Sequence, residues 1–358
     1  MTRPMFRAVV LVGVLQLSWS AFPGLPGAAV QAQQPQVASD VEYQAALEAG
    51  ELALRERRFE DALRAFTTAS EQQGRKSAQA FYGLCRARIG LSAHGDAVKA
   101  CESGLKYVGD DDPLAARLHN ERGLALTSLA TSNKDKALRD AREEFRAVVG
   151  LTSEIPIAWF NLGVVAARLG DDEESVTAFR RYLDSGAAGS DAELARDLVA
   201  SPRRVREPVA PEFSVPTFNG PVVSLRSLRG KTVLLDFWGT WCPPCRAASP
   251  ALVKLQKKYA DEPFTIVGIS SDPPEDEPKV RRYVESYDMP WPQHLDVSRK
   301  VHDAYEIDAF PTYLIIDGDG IVTVRLRGWA SNTEQRLDSE IRKSLKAGAE
   351  RQLRFGRR

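Results

Sequence analysis

The sequence predicts an all-α helical repeat followed by an α/β domain. Three observations carry that prediction. Gly50, Gly83, Gly123 and Gly163 recur at intervals of 33, 40 and 40 within a stretch rich in Ala, Leu, Arg and Glu at helical spacing. Beyond about Arg206, apolar β-type runs at Thr232–Trp238 and Phe264–Ser270 alternate with helical segments. Between the halves, Pro202, Pro208, Pro211 and Pro216 punctuate a linker. The 358 residues also exceed what one core ordinarily holds.

In the first half, Gly50 and Ala62 lie twelve residues apart, as do Gly163 and Ser175. Small residues at those places let antiparallel helices approach closely, while Phe66 and Phe179 fill the space between neighbouring pairs. Trp159-Phe160-Asn161-Leu162-Gly163 gives the sharpest copy. The pattern resembles the tetratricopeptide repeat, whose stacked helix pairs are binding surfaces, so a protein partner is expected there. Asp191 to Val205 reads as a closing helix. Cys85 and Cys101 fall on the two helices of the second pair. With Gly83 set against Ala97, Cys85 meets a position near Gly95, about six residues or ~9 Å from Cys101. Both are therefore expected to be unpaired core thiols.

The chemistry lies in Trp241-Cys242-Pro243-Pro244-Cys245, directly after the strand 232–238 and at the start of a helix over 243–260. Free backbone N–H groups and the positive end of the helix dipole favour a thiolate at Cys242. An exposed Cys242 attacks a disulfide, and Cys245 waits beneath it to resolve the mixed disulfide. Asp236 is a carboxylate in an otherwise apolar strand, costly to bury without a role. It reads either as a buried acid with a chemical role or as an acid at the sheet edge bonded to water. Asp272 follows the second core strand and precedes Pro273-Pro274-Glu275-Asp276-Glu277. From its neighbours it reads as part of a solvated acidic loop.

Leu228-Arg229-Gly230-Lys231, the 237–245 block and Phe310-Pro311-Thr312, in that order, resemble the TlpA/ResA branch of the thioredoxin superfamily. The resemblance implies a thioredoxin-like domain with an insertion between Ser270 and Asp296, and an extracytoplasmic thiol–disulfide oxidoreductase activity needing no cofactor. It gives Asp236 the place of the buried acid that exchanges protons with the resolving cysteine. For Asp272 it offers a second reading, as an acid close to the active site. It implies a cis bond before Pro311, facing the disulfide, and a substrate surface bordered by Trp241, Phe310 and Thr312. Protein disulfides, on apocytochromes or other envelope proteins, are the implied substrates, and a membrane-borne electron donor the implied reductant.

Arg3 and Arg7 precede the apolar run Ala8–Leu17, which is too short to span a bilayer; Pro23, Gly24, Pro26 and Gly27 follow, and Val30-Gln31-Ala32 suits cleavage. Residues 1–32 therefore read as a signal peptide, with an uncleaved anchor as the alternative. Export to a periplasm or cell envelope is expected. The expected division is 40–206 for the repeat, 207–347 for the redox domain and 348–358 for a tail.

Other classes fare worse. The 48 basic residues balance 48 acidic ones, so no nucleic-acid partner is expected. His94, His119, His294 and His302 have no ligand-like spacing and one CxxC is half a metal site, so no metal is expected. A thioredoxin-fold peroxidase would need Thr or Ser where Gly239 stands. A binding scaffold with an incidental redox site is the remaining alternative.

Overall fold

The computed structural model describes residues 34–109, 112–133, 136–218 and 220–355; the segment 1–32, read above as a signal peptide, lies outside them. The first half is a row of helices: α1 (Gln34–Arg55), α2 (Phe59–Gln72), α3 (Ala78–Gly90), α4 (His94–Leu105), α5 (Pro113–Leu129), α6 (Lys136–Leu151), α7 (Ile157–Leu169), α8 (Asp172–Asp184) and α9 (Ser190–Ala200). They pack as sequential antiparallel pairs, α1 with α2 through α7 with α8, and α9 covers the end. The repeating glycines mark the closest approaches. A Cβ on Gly50 would stand 2.6 Å from the Phe66 ring, on Gly123 2.7 Å from Phe145 and on Gly163 2.8 Å from Phe179. Ser175 Oγ donates to Gly163 O at 2.8 Å across the fourth pair.

Cys85 and Cys101 correct the sequence reading: they form a disulfide, with Cα atoms 5.4 Å apart and both residues fully buried. The register assumed there, Gly83 against Ala97, is not the one adopted: Cα atoms 5.4 Å apart set Cys85 level with Cys101, and the space at Gly83 is taken by the Phe66 ring. Cys101 lies one turn after Ala97, as Phe66 lies one turn after Ala62 and Phe179 after Ser175. The second pair thus carries a disulfide where the others carry an aromatic ring.

The expected closing helix breaks at Ser201, because Pro202 has no N–H to continue it. A 3-10 turn follows (Pro202–Val205). This junction is not a loose linker. Arg206 donates to Asp172 at 2.6 Å and to Ala167 O at 2.9 Å. Arg203 reaches Asp317 at 2.9 Å and Asp319 at 3.1 Å in the second half. Ala210 N then bonds Gly320 O, and Val322 N bonds Pro208 O.

The second half contains β1 (Ser214–Val215), β2 (Val223–Ser224), β3 (Thr232–Trp238), α10 (Pro243–Lys258), β4 (Phe264–Ser270), α11 (Glu277–Ser286), β5 (Gln293–Leu295), α12 (Lys300–Ala304), β6 (Thr312–Ile316), β7 (Val322–Arg327) and α13 (Thr333–Phe355). Five strands make one sheet in the order β5-β4-β3-β6-β7, with β3, β4 and β5 parallel and β6 and β7 antiparallel to their neighbours. β3 is central, and all seven of its residues are buried. Strand alternation sorts its side chains. Val233, Leu235 and Phe237 pack with α12 and the β1–β2 ribbon, while Leu234 and Trp238 pack with α10, α11, α13 and both cysteines. α13 overruns the expected end at 347 by about two turns, and the 348–358 tail reading is corrected as far as Phe355. Arg351 on that extension pairs with Asp319 at 2.9 Å and Asp317 at 3.4 Å.

Candidate active site

Cys242 is the N-cap residue of α10, and its Sγ accepts the Cys245 N–H at 3.2 Å. Pro243 and Pro244 occupy the first helical positions, where missing N–H groups cost no intrahelical bond. Cys242 N is held by Gly239 O at 3.2 Å, and its carbonyl accepts from Arg246 N at 3.1 Å. The two cysteines form a disulfide with Cα atoms 5.3 Å apart. One expectation fails here: Cys242 is 2% exposed and Cys245 3%, so neither is the accessible one in the oxidised form. Position at the helix end, and not exposure, separates them.

Asp236 lies on the cysteine side of β3, between Leu234 and Trp238. It is not at a sheet edge; its register neighbours are Gly268 on β4 and Tyr313 on β6. Its Oδ1 is buried without a hydrogen-bond partner. Burial raises its pKa from 3.8 to about 8.

The Phe310–Pro311 bond is cis. Phe310 packs edge-on against Trp241, ring centroids 5.2 Å apart, and Trp241 is 51% exposed, so these two rings border the disulfide. Thr312 is different: it is fully buried and donates to Ala309 O at 2.7 Å. Its side chain supports the turn and offers no surface to a substrate.

Behind Phe310 stands a pair the sequence reading passed over. His302, fully buried, lies 5.6 Å from the Phe310 ring and 5.2 Å from Phe237. Its Nδ1–H donates to Asp296 Oδ2 at 2.7 Å. Burial lowers the His302 pKa against the pull of Asp296, so the ring is a neutral wedge behind the proline loop. Trp238 Nε1 donates to Gln293 Oε1 at 3.2 Å, and Gly268 leaves the space that Gln293 crosses.

Asp272 is 2% exposed and does not belong to the solvated loop that follows it. Its Oδ2 accepts from Thr240 N at 2.9 Å and Ser270 Oγ at 2.7 Å, and its Oδ1 accepts from Thr240 Oγ1. The end of β4 is thereby stitched to the loop before Cys242. Gly239 is covered by the Trp241 indole: a Cβ there would lie 2.5 Å from Nε1, so a Thr or Ser at this position would have to displace the ring. Among the described residues, no group of three His, Cys, Asp or Glu side chains could hold a metal ion.

A CxxC disulfide capping a helix, a buried acid on the same face of the central strand and a cis-proline loop define a thioredoxin-fold thiol–disulfide protein. The AhpC/TSA family profile matches residues 207–325, and the tetratricopeptide repeat profile matches 47–106 and 134–192. Thiol-disulfide oxidoreductase ResA of Bacillus cereus is 34% identical over 134 residues, which is 37% of this chain and 75% of that protein. Thioredoxin-like protein YneN of Bacillus subtilis is 38% identical over 113 residues, 32% of this chain and 66% of that protein. A thioredoxin-family thiol:disulfide interchange protein from Chlorobium tepidum, a solved structure, is 32% identical and covers 39% of this chain and 97% of its own, with a TM-score of 0.36. The chain belongs, through its second half, to the ResA-like thiol–disulfide oxidoreductases of the thioredoxin superfamily, and it carries tetratricopeptide repeats in its first half.

Proposed function

We propose that this enzyme is exported and reduces protein disulfides in the cell envelope, with the helical repeat recruiting its partners. Cys242 attacks the substrate disulfide, forming a mixed disulfide and releasing one substrate thiolate. Cys245, deprotonated by Asp236, then attacks Cys242 Sγ, releasing the second thiolate and leaving the enzyme disulfide. Two electrons pass to the substrate, and a membrane-borne donor of reducing equivalents restores the dithiol. Trp241 and Phe310 border the face on which an extended substrate chain lies, next to Pro311.

The observation that carries this reading is the Cys245 N–H directed at Cys242 Sγ at 3.2 Å, which stabilises negative charge on the sulfur at the helix start. Pro243 and Pro244 withhold two further donors. Fewer donors leave the thiolate less stabilised than in strong oxidants of this fold, and a less stabilised thiolate makes a better reductant. The Cys85–Cys101 disulfide supports export, since such bonds persist in oxidising compartments. No helix among the described residues is long and apolar enough to cross a membrane.

Equilibration of the full chain against glutathione tests the direction. The reductant role requires a potential nearer about −270 mV than about −120 mV, and a value above about −150 mV would sink it.

A further inference from the structure

We propose that Asp272 is a positioning residue with an electrostatic effect: it fixes the loop carrying Cys242 and, as a buried negative charge, disfavours the Cys242 thiolate, biasing the pair toward the disulfide. This deepens the reductant reading and rests on Cys242 being the attacking sulfur.

The hydrogen bonds converge on the carboxylate. The Thr240 backbone N–H can only donate, and it donates to Asp272 Oδ2 at 2.9 Å. The Ser270 hydroxyl accepts from Asp272 N at 3.1 Å, which leaves its own proton to donate to Oδ2 at 2.7 Å. Thr240 Oγ1 donates to Oδ1. Three donors directed at its two oxygens match the acceptor-only carboxylate. Thr240 is 5% exposed and stands two residues before Cys242, so water screens the charge poorly.

The loop is pinned from a second side as well. Ser271 N donates to Trp238 O at 2.9 Å, and Cys242 N donates to Gly239 O at 3.2 Å. The stretch Trp238–Cys242 therefore has little freedom to carry its sulfur away from the carboxylate. The other titratable groups on this side are Asp236 on β3, Tyr313 on β6, Arg246 on α10, and Tyr283 on α11, whose hydroxyl meets Ser249 Oγ at 2.9 Å. Arg246 opposes the effect, and Asp236, protonated up to about pH 8, adds to it only above that pH. None of them bonds the loop as Asp272 does.

A neutral residue of the same shape separates charge from pinning. In Asp272→Asn the amide oxygen still accepts from Thr240 N and the amide nitrogen can donate to Thr240 Oγ1. The full-length variant and the wild type are compared by iodoacetamide alkylation of Cys242 against pH and by equilibration with glutathione. The variant's alkylation midpoint should fall by about one unit. Its equilibrium should move toward the dithiol by up to tenfold, about 30 mV. An unchanged midpoint and equilibrium, with only lowered thermal stability, or a shift in the other direction, would overturn the proposal. Asp272→Ser, neutral and too short to keep the Thr240 bonds, removes charge and pinning together; if the amide variant does not fold, a lowered midpoint in the serine variant supports the proposal and an unchanged or raised one overturns it. Because the readout is a difference between variant and wild type, it is independent of the absolute potential that tests the reductant reading.

Discussion

Asp236 and Tyr313 stand opposite each other in the antiparallel pairing of β3 with β6, and both Asp236 Oδ1 and the Tyr313 hydroxyl are buried without a hydrogen-bond partner. An acid so placed is held protonated up to about pH 8 by desolvation, and it adds its own push to the raised pKa of Tyr313. This makes Asp236 a group that can exchange a proton within the working pH range of the resolving cysteine.

Asp236→Asn should therefore slow turnover by about a hundredfold, the low end of general-base contributions. The wild-type pH–rate profile should rise through an inflection near pH 8, and the variant should lose that inflection. Stopped-flow reduction of a small disulfide from below to above that inflection checks both statements.

The same residue predicts a stability effect with a definite sign. The folded pKa, about 8, lies above the ordinary 3.8. Between those values the native state holds a proton that the unfolded chain has lost, so stability falls as pH rises across that window. Asp236→Asn should be more stable than wild type at about pH 9, with the advantage shrinking below about pH 8 and gone near pH 4. Denaturant midpoints at the three pH values measure this.

The Cys85–Cys101 bond closes a short loop across the second helix pair, with a sequence separation of 16. Replacing both residues by Ala should cost about 3 kcal/mol of stability in the repeat. Reduction of a small generic disulfide should stay within twofold of wild type. Urea titration and a turnover assay on the same preparation check the two halves of that statement.

A fragment of residues 207–355 should reduce a small disulfide about as fast as the full chain and lose rate only toward native partners. A fragment of 210–347 should be less stable by about 2 kcal/mol. It lacks Pro208 O, which accepts from Val322 N, and Arg351, which pairs with the buried Asp317. Thermal melts and a turnover assay on both fragments decide it.

The redox half was legible where neighbours in sequence carry the information. The CxxC after an apolar strand, Asp236 inside that strand and Phe310-Pro311 at the start of another were all readable. The glycine and phenylalanine spacing of the repeat was readable for the same reason. Asp272 was ambiguous because its partner Thr240 lies 32 residues away, while five residues of Pro, Glu and Asp beside it suggested a solvated loop. Gln293 sits on a three-residue strand that has no pattern of its own, and only its bond to Trp238 shows its purpose. The Cys85–Cys101 pairing escaped because Gly83 packs on Phe66 of the preceding helix pair and not on Ala97, so the register read from it was wrong. The 348–358 segment was read as a tail, yet α13 continues to Phe355, with Arg351 anchored to Asp317 and Asp319.

The central claim is that Cys242 attacks and Cys245 resolves, and trapping measures it most directly. Full-length Cys245→Ser and Cys242→Ser are each reduced, mixed with an envelope protein extract, and run on a gel with and without dithiothreitol. Cys245→Ser should accumulate mixed disulfides that vanish on reduction, and Cys242→Ser should form none. Equal or greater capture by Cys242→Ser would contradict it.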